Sequence, residues 1–165
     1  LARGATDGLK LAVNVGAMLL AFVAMVALVN FLIGAAGGVF GLELTLEGML
    51  GYVFAPIAWC MGVPWEEAPL VGRFLGEKMV LTELIAYINL AGNLASAEPL
   101  SYRSAVITSY ALCGFANFAS IGIQIGGIAG IAPKRRKDLA KLGMLAMFGG
   151  TIAAMLTATV AGIIL

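Results

Sequence analysis

The chain has 165 residues, of which 61% are hydrophobic and 12% charged, with 10 Lys and Arg set against 9 Asp and Glu. Soluble domains use about 45–50% apolar and about 25% charged residues, so lipid is the solvent this chain fits, and its long apolar runs point to an all-α integral membrane protein. The net charge of +1 excludes nucleic-acid binding by bulk electrostatics, and the lack of any histidine argues against a metal site.

Chemistry of the catalytic kind is not expected, because no nucleophile and base pair and no metal-ligand cluster is visible. Cys60 and Cys113 lack CxxC spacing and read as buried structural thiols. The chain begins at Leu1 with neither an initiator Met nor a signal-peptide pattern, and it offers only a few spans, which reads as a piece of a larger protein.

In chain order, residues 11–33 form the first uncharged run, long enough for a helix across a hydrocarbon core of about 30 Å. The glycine-rich stretch 34–41 reads as a loop. Residues 46–63 are apolar but short, contain Glu47 and Pro56, and are flanked by Trp59 and Trp65. Such tryptophans favour the membrane interface, so this segment reads as a surface helix in preference to a span. Residues 69–97 carry Arg73, Glu77, Lys78 and Glu83, and as one straight helix would exceed about 40 Å. Split near Thr82, they form a hairpin whose arms each reach about 20 Å. Residues 105–132 are apolar but interrupted by Asn117, Ser120 and Gln124 among glycines, which predicts a break near the polar centre. Residues 142–165 are the last uncharged run.

Basic residues orient these elements. Arg3 and Lys10 precede the first span and KRRKDLAK, residues 134–141, precedes the last, so both lie on the cytoplasmic side. Span one then runs outward and the interrupted run returns inward, and residues 34–104 make no net crossing. A hairpin that enters and leaves from outside satisfies this parity. Its tip, with Glu83, sits near mid-membrane, where a lipid-facing carboxylate costs about 2.5–3.5 kcal/mol on insertion scales. The carboxylate must face protein or water, and irregular backbone at that depth is tolerated only in such places. Transporters build their sites there.

The stretch GEKMVLTELIAYINL, residues 76–90, resembles the signature of concentrative nucleoside transporters, GxKxxxNEFVA followed by Tyr, Met or Phe and then xxL. Gly76, Lys78, Glu83, Ala86, Tyr87 and Leu90 match it, while Thr82 stands in place of the motif Asn. GFANFASIGIQIGGIAGIAP, residues 114–133, resembles the family's broken helix. The resemblance covers the second half of that family. It implies a scaffold part at 1–66, with a transmembrane helix at 9–34 and an interfacial helix at 45–63. It implies a transport-domain part at 67–165, with a re-entrant helical hairpin at 69–98, a broken transmembrane helix at 102–132 and a final transmembrane helix at 138–165.

By the same resemblance, Glu83, Asn117 and Ser120 bind ribose hydroxyls, Phe115 shapes the cavity beside them, and Thr82 and Lys78 support the tip. A carboxylate accepts two hydroxyl bonds and an amide both donates and accepts, so the residue types suit a sugar. The resemblance further implies cation-coupled symport by alternating access. The coupling ion, Na+ or H+, is bound mainly by an N-terminal half outside this chain, with no other cofactor. The expected partners are a nucleoside, the lipid bilayer, that N-terminal half and two further copies in a homotrimer, in a multi-pass protein of a bacterial inner membrane.

Plainer roles stand beside these. Glu83 pairing with Lys78 or Arg73, Asn117 stitching helices together and Ser120 easing close packing would suit a non-transporting assembly module instead. Gln124, Asn89 and Asn93 read as partners for local unwound backbone rather than for substrate.

Overall fold

The computed structural model describes residues 2–38, 41 and 44–165. Among the described residues all regular structure is helical: α1 (Ala2–Gly38), α2 (Leu46–Cys60), α3 (Ala68–Val80), α4 (Glu83–Leu94), α5 (Tyr102–Leu112), α6 (Phe118–Ile131) and α7 (Arg136–Ile164), with a 3-10 turn at Pro133–Arg135 before α7. Helices α1 and α7 are long and apolar enough to cross a bilayer. Only 6% of the most apolar stretch of α1 is buried, and 28% of that of α7, so both offer apolar sides to lipid or to further protein.

The first helix is longer than the sequence pattern indicated. The 34–41 stretch, read as a loop, continues α1 through Gly38, and Gly41 lies in a turn at φ +67°; positions 39, 40, 42 and 43 lie outside the described residues. Small residues do not stop a helix by themselves when each amide keeps its i−4 carbonyl.

Helix α2 starts under the control of α1. Thr45 accepts from the Gly48 N–H at 3.1 Å. Asn30 of α1 accepts from the Leu46 N–H at 2.8 Å and donates to both oxygens of Glu47, at 3.0 and 2.9 Å. One amide thus satisfies an orphan donor at the helix start and a buried carboxylate. At the other end, the rings of Trp59 and Trp65 meet edge to face, with centroids 6.3 Å apart, and both remain exposed.

Among the described residues, α2 and α3 approach each other closely along their glycines. A Cβ on Gly72 would collide with the carbonyl of Gly51 and lie 2.8 Å from the Ala55 N, and one on Gly76 would lie 2.8 Å from the Leu50 Cβ. Backbones approach this closely only where side chains are missing. Phe54, Ala55 and Ala58 of α2 and Val71, Phe74 and Leu75 of α3 are buried there in the common core, which continues through Ala86 and Leu90 of α4 and Ile107 and Leu112 of α5. The expected division between residues 66 and 67 would run through this contact.

Helices α3 and α4 are joined across Leu81 and Thr82, the place where the polar pattern put the turn. Glu77 and Asn89, equally far from residue 83 on opposite arms, are joined by a 2.8 Å hydrogen bond, so the arms lie side by side as a hairpin. The 102–132 segment breaks between Cys113 and Asn117 into pieces of 11 and 14 residues. At 1.5 Å per residue these reach about 17 and about 21 Å, and neither alone spans the hydrocarbon.

Candidate functional site

The hairpin tip faces the break in the α5–α6 segment, and the two interruptions meet through side chains. Thr82 is the residue before α4, in extended conformation, and its hydroxyl makes no capping bond. Glu83 opens α4 and is half-buried. Asn117 caps α6: its Oδ1 accepts from the Ser120 N–H at 2.8 Å and from the Ser120 hydroxyl at 2.9 Å. The same amide's Nδ2 donates to Glu83 Oε2 at 2.7 Å. Asn117 is 2% exposed, which gives this charge-assisted bond the low-dielectric surroundings in which it is strong.

The structure therefore brings Glu83, Asn117 and Ser120 into one chain of hydrogen bonds. Neither Lys78 nor Arg73 is the partner of Glu83: Lys78 donates to the Ala111 carbonyl at 2.8 Å, and Arg73 pairs with Glu77 at 3.1 Å. Among the described residues, Oε1 of Glu83 has no hydrogen-bond partner. Phe115 sits inside the break and is 80% exposed, an aromatic face that this chain does not cover. A cavity of about 330 Å³ between the break, α6 and α7 is lined by Phe115, Asn117, Ser120, Gln124 and Leu142 among others. Glu83 does not line it.

Gly114 makes the break possible. Its φ of +141° lies where residues with a Cβ are strained, and it lets the chain leave α5 and re-enter as α6 within a few residues. Two hydroxyls inside α5 bond back to its own carbonyls, Thr108 to Ser104 at 2.6 Å and Ser109 to Ala105 at 2.9 Å, so neither is left as an open polar group.

Three expectations change. Cys60 and Cys113 are exposed rather than buried, because one ends α2 and the other stands at the break. Asn89 serves the Glu77 carboxylate instead of unwound backbone. Asn93 does bind backbone, accepting from the Leu100 N–H at 3.1 Å, and Gln124 lines the cavity. Tyr87, which the sequence offers only as a motif match without a role, donates its hydroxyl to the Ser109 carbonyl at 2.7 Å. The available signal was a phenol on an apolar hairpin arm, which needs an acceptor when it is buried.

Known proteins match this arrangement over the whole chain. The family model for the Na+ dependent nucleoside transporter C-terminus matches residues 1–162. An uncharacterized transporter of Bacillus subtilis, YutK, is 52% identical over 98% of this chain and 39% of its own length. The transporter CNTnw, as a variant in its intermediate 3 state, superposes with a TM-score of 0.92 at 44% identity, over 99% of this chain and 41% of that one. CNTnw in an inward-facing substrate-bound state superposes with a TM-score of 0.81 at 45% identity, over 98% and 38%. The chain thus spans about two fifths of the length of the proteins it matches. It belongs to the Na+ dependent nucleoside transporter family and corresponds to its C-terminal part.

Proposed function

We propose that this chain carries the ribose-binding side of a nucleoside transporter, a multi-pass cation-coupled symporter of the cell membrane. The observation that carries the reading is the meeting of Glu83, Asn117 and Ser120 where a hairpin tip faces a helix break. A sugar diol presents hydroxyls that each donate and accept. Facing them, Glu83 Oε1 is a charged acceptor without a protein partner, Asn117 keeps a second N–H, and the Ser120 oxygen keeps its lone pairs. Phe115 supplies an apolar wall at the same break.

The remaining parts follow the family. The base and, for the main part, the coupling ion (Na+ or H+) are bound by the N-terminal half, and the whole transporter assembles as a homotrimer. The hairpin enters and leaves from the outer side of a membrane that is the inner membrane in a bacterium. Alternating access moves one bundle against another, and the spread of TM-scores across states of one protein, 0.92 for intermediate 3 against 0.82 for intermediate 1 and 0.81 for the inward-facing state, supports a chain with two parts that change relation. The interlock with α3 supports assigning α2 to the moving bundle, with α1 remaining in the scaffold.

The test is a cycle with one arm in the ligand. In the full-length transporter, Glu83→Gln keeps the shape and removes the ionised acceptor, and bonds to charged groups contribute about 1.5–3 kcal/mol. Uridine affinity should fall roughly tenfold to a hundredfold, while an analogue lacking the matching hydroxyl binds wild type weakly and loses little more. Equal losses for all ligands, with a lowered melting temperature, would reject the ribose role and leave Glu83 as intramembrane glue.

A further inference from the structure

We propose that Lys78 and Tyr87 are positioning residues: they dock the two arms of the hairpin onto the interrupted last turn of α5 and so hold Glu83 against Asn117. The inference rests on the ribose reading of Glu83. Its starting point is the set of carbonyls that the break leaves behind. In an unbroken helix the Ser109 carbonyl would receive the Cys113 amide, and the Ala111 carbonyl the Phe115 amide. The Cys113 N–H turns to the Tyr110 carbonyl instead, at 3.1 Å, and Phe115 lies past the turn at Gly114.

Buried carbonyls without donors are costly in a dry surrounding, and in lipid they have no water to turn to. The hairpin supplies the donors. Tyr87 Oη donates to Ser109 O at 2.7 Å, and Lys78 Nζ donates to Ala111 O at 2.8 Å. The last carbonyls of a helix carry the negative end of its dipole, which is where an ammonium is favoured. Lys78 is 2% exposed and therefore fixed in this direction.

The two donors come from opposite arms. Lys78 stands in the last turn of α3, just before the tip, and Tyr87 a turn into α4, just after it. The tip is thereby pinned on both sides to α5, and the Asn117 to Glu83 bond at 2.7 Å closes the gap to α6. The bond from Asn117 leaves the carboxylate little room to move, since such bonds fade beyond about 3.2 Å. Tip and break then form one unit, and the place of the ligand acceptor is set by two residues that need not touch the ligand.

The test uses the full-length transporter with Tyr87→Phe, which deletes one oxygen and keeps the ring, and Lys78→Met. Two readouts are taken: the ratio of uridine affinity to that of the deoxy analogue singled out by Glu83→Gln, and hydrogen exchange of the 109–117 segment. Tyr87→Phe should weaken uridine about two- to tenfold, shrink the ratio by a similar factor and speed exchange in 109–117. A lowered melting temperature with an unchanged ratio would overturn the positioning role, whether or not exchange rises. Unchanged exchange would overturn the docking itself. If Glu83→Gln leaves uridine preference intact, the ribose reading fails separately, and the exchange measurement alone decides the docking. Should Lys78→Met not fold, Tyr87→Phe carries the test.

Discussion

Asn117 holds two bonds that can be separated by mutation. Its oxygen starts α6 and its nitrogen reaches Glu83. Asn117→Ala removes both and should lower stability by roughly 1 kcal/mol for the lost cap alone. Asn117→Ser keeps a capping oxygen but has no N–H to offer Glu83, so its melting temperature should fall less than that of Asn117→Ala while uridine affinity drops about tenfold or more. Thermal unfolding and uridine titration of both variants in the full-length protein check this, and equal melting temperatures would count against the cap. Glu67 allows a second prediction at this scale, outside the membrane. Partial burial works against its charge, but hydrogen bonds from Ser104 and from the Ser101 amide and hydroxyl outweigh it and hold its carboxyl below the ordinary range. A carboxyl depressed in the folded state stabilises above its unfolded pKa and loses that contribution as pH falls through the folded one. Wild type should therefore lose melting temperature more steeply than Glu67→Gln on acidification below about pH 4.5, and parallel curves would show that the contact contributes nothing.

Two glycines, one in the contact between α2 and α3 and one on the open side of α4, give opposite predictions. Gly72→Ala places a methyl against the Gly51 carbonyl and should destabilise by about 1–3 kcal/mol, the usual cost of overpacking. Gly92→Ala on α4 meets nothing within 4 Å and should stabilise by up to about 1 kcal/mol. Whether α2 travels with the hairpin is tested by cysteines at Gly51 and Arg73, where a Cβ at residue 51 lies 3.3 Å from that of residue 73. That is within reach of a disulfide. Uptake should be the same in the oxidised and reduced forms of this variant, whereas a hairpin sliding past a fixed α2 would be stopped by oxidation and released by reduction. Much at this scale was legible in the sequence, because a charge or an amide inside an apolar run has few places to go. Thr82 and Glu83 marked the turn, and the polar residues from Asn117 to Gln124 signalled a break that falls a little earlier, between Cys113 and Asn117. The partners were not legible: Lys78 with Ala111 and Tyr87 with Ser109 join residues far apart in the chain. No local pattern specifies which orphan carbonyl a distant donor meets, and the exposure of Cys60 and Cys113 depends on which helix faces lack neighbours.

At the scale of the whole molecule the basic residues in the first turns of α1 and at the start of α7 predict an orientation. In a full-length transporter without other accessible thiols, cysteines at Glu66 and Ser101 should react with an impermeant reagent from outside, and one at Lys137 only after the membrane is opened. Labelling of position 137 from outside would reverse the topology. The tight seam at Gly51 and Gly72 has one more consequence, a mechanical one. In the proposed topology α2 lies in the headgroup layer bound to the hairpin, so each excursion of the hairpin would pull an apolar rod, with its paired Trp59 and Trp65, through that layer. The bilayer then acts as a brake whose drag depends on headgroup packing and thickness. Reconstitution in lipids of graded chain length should shift the turnover rate while leaving equilibrium uridine affinity unchanged, and a rate indifferent to the lipid would mean that the rod stays still.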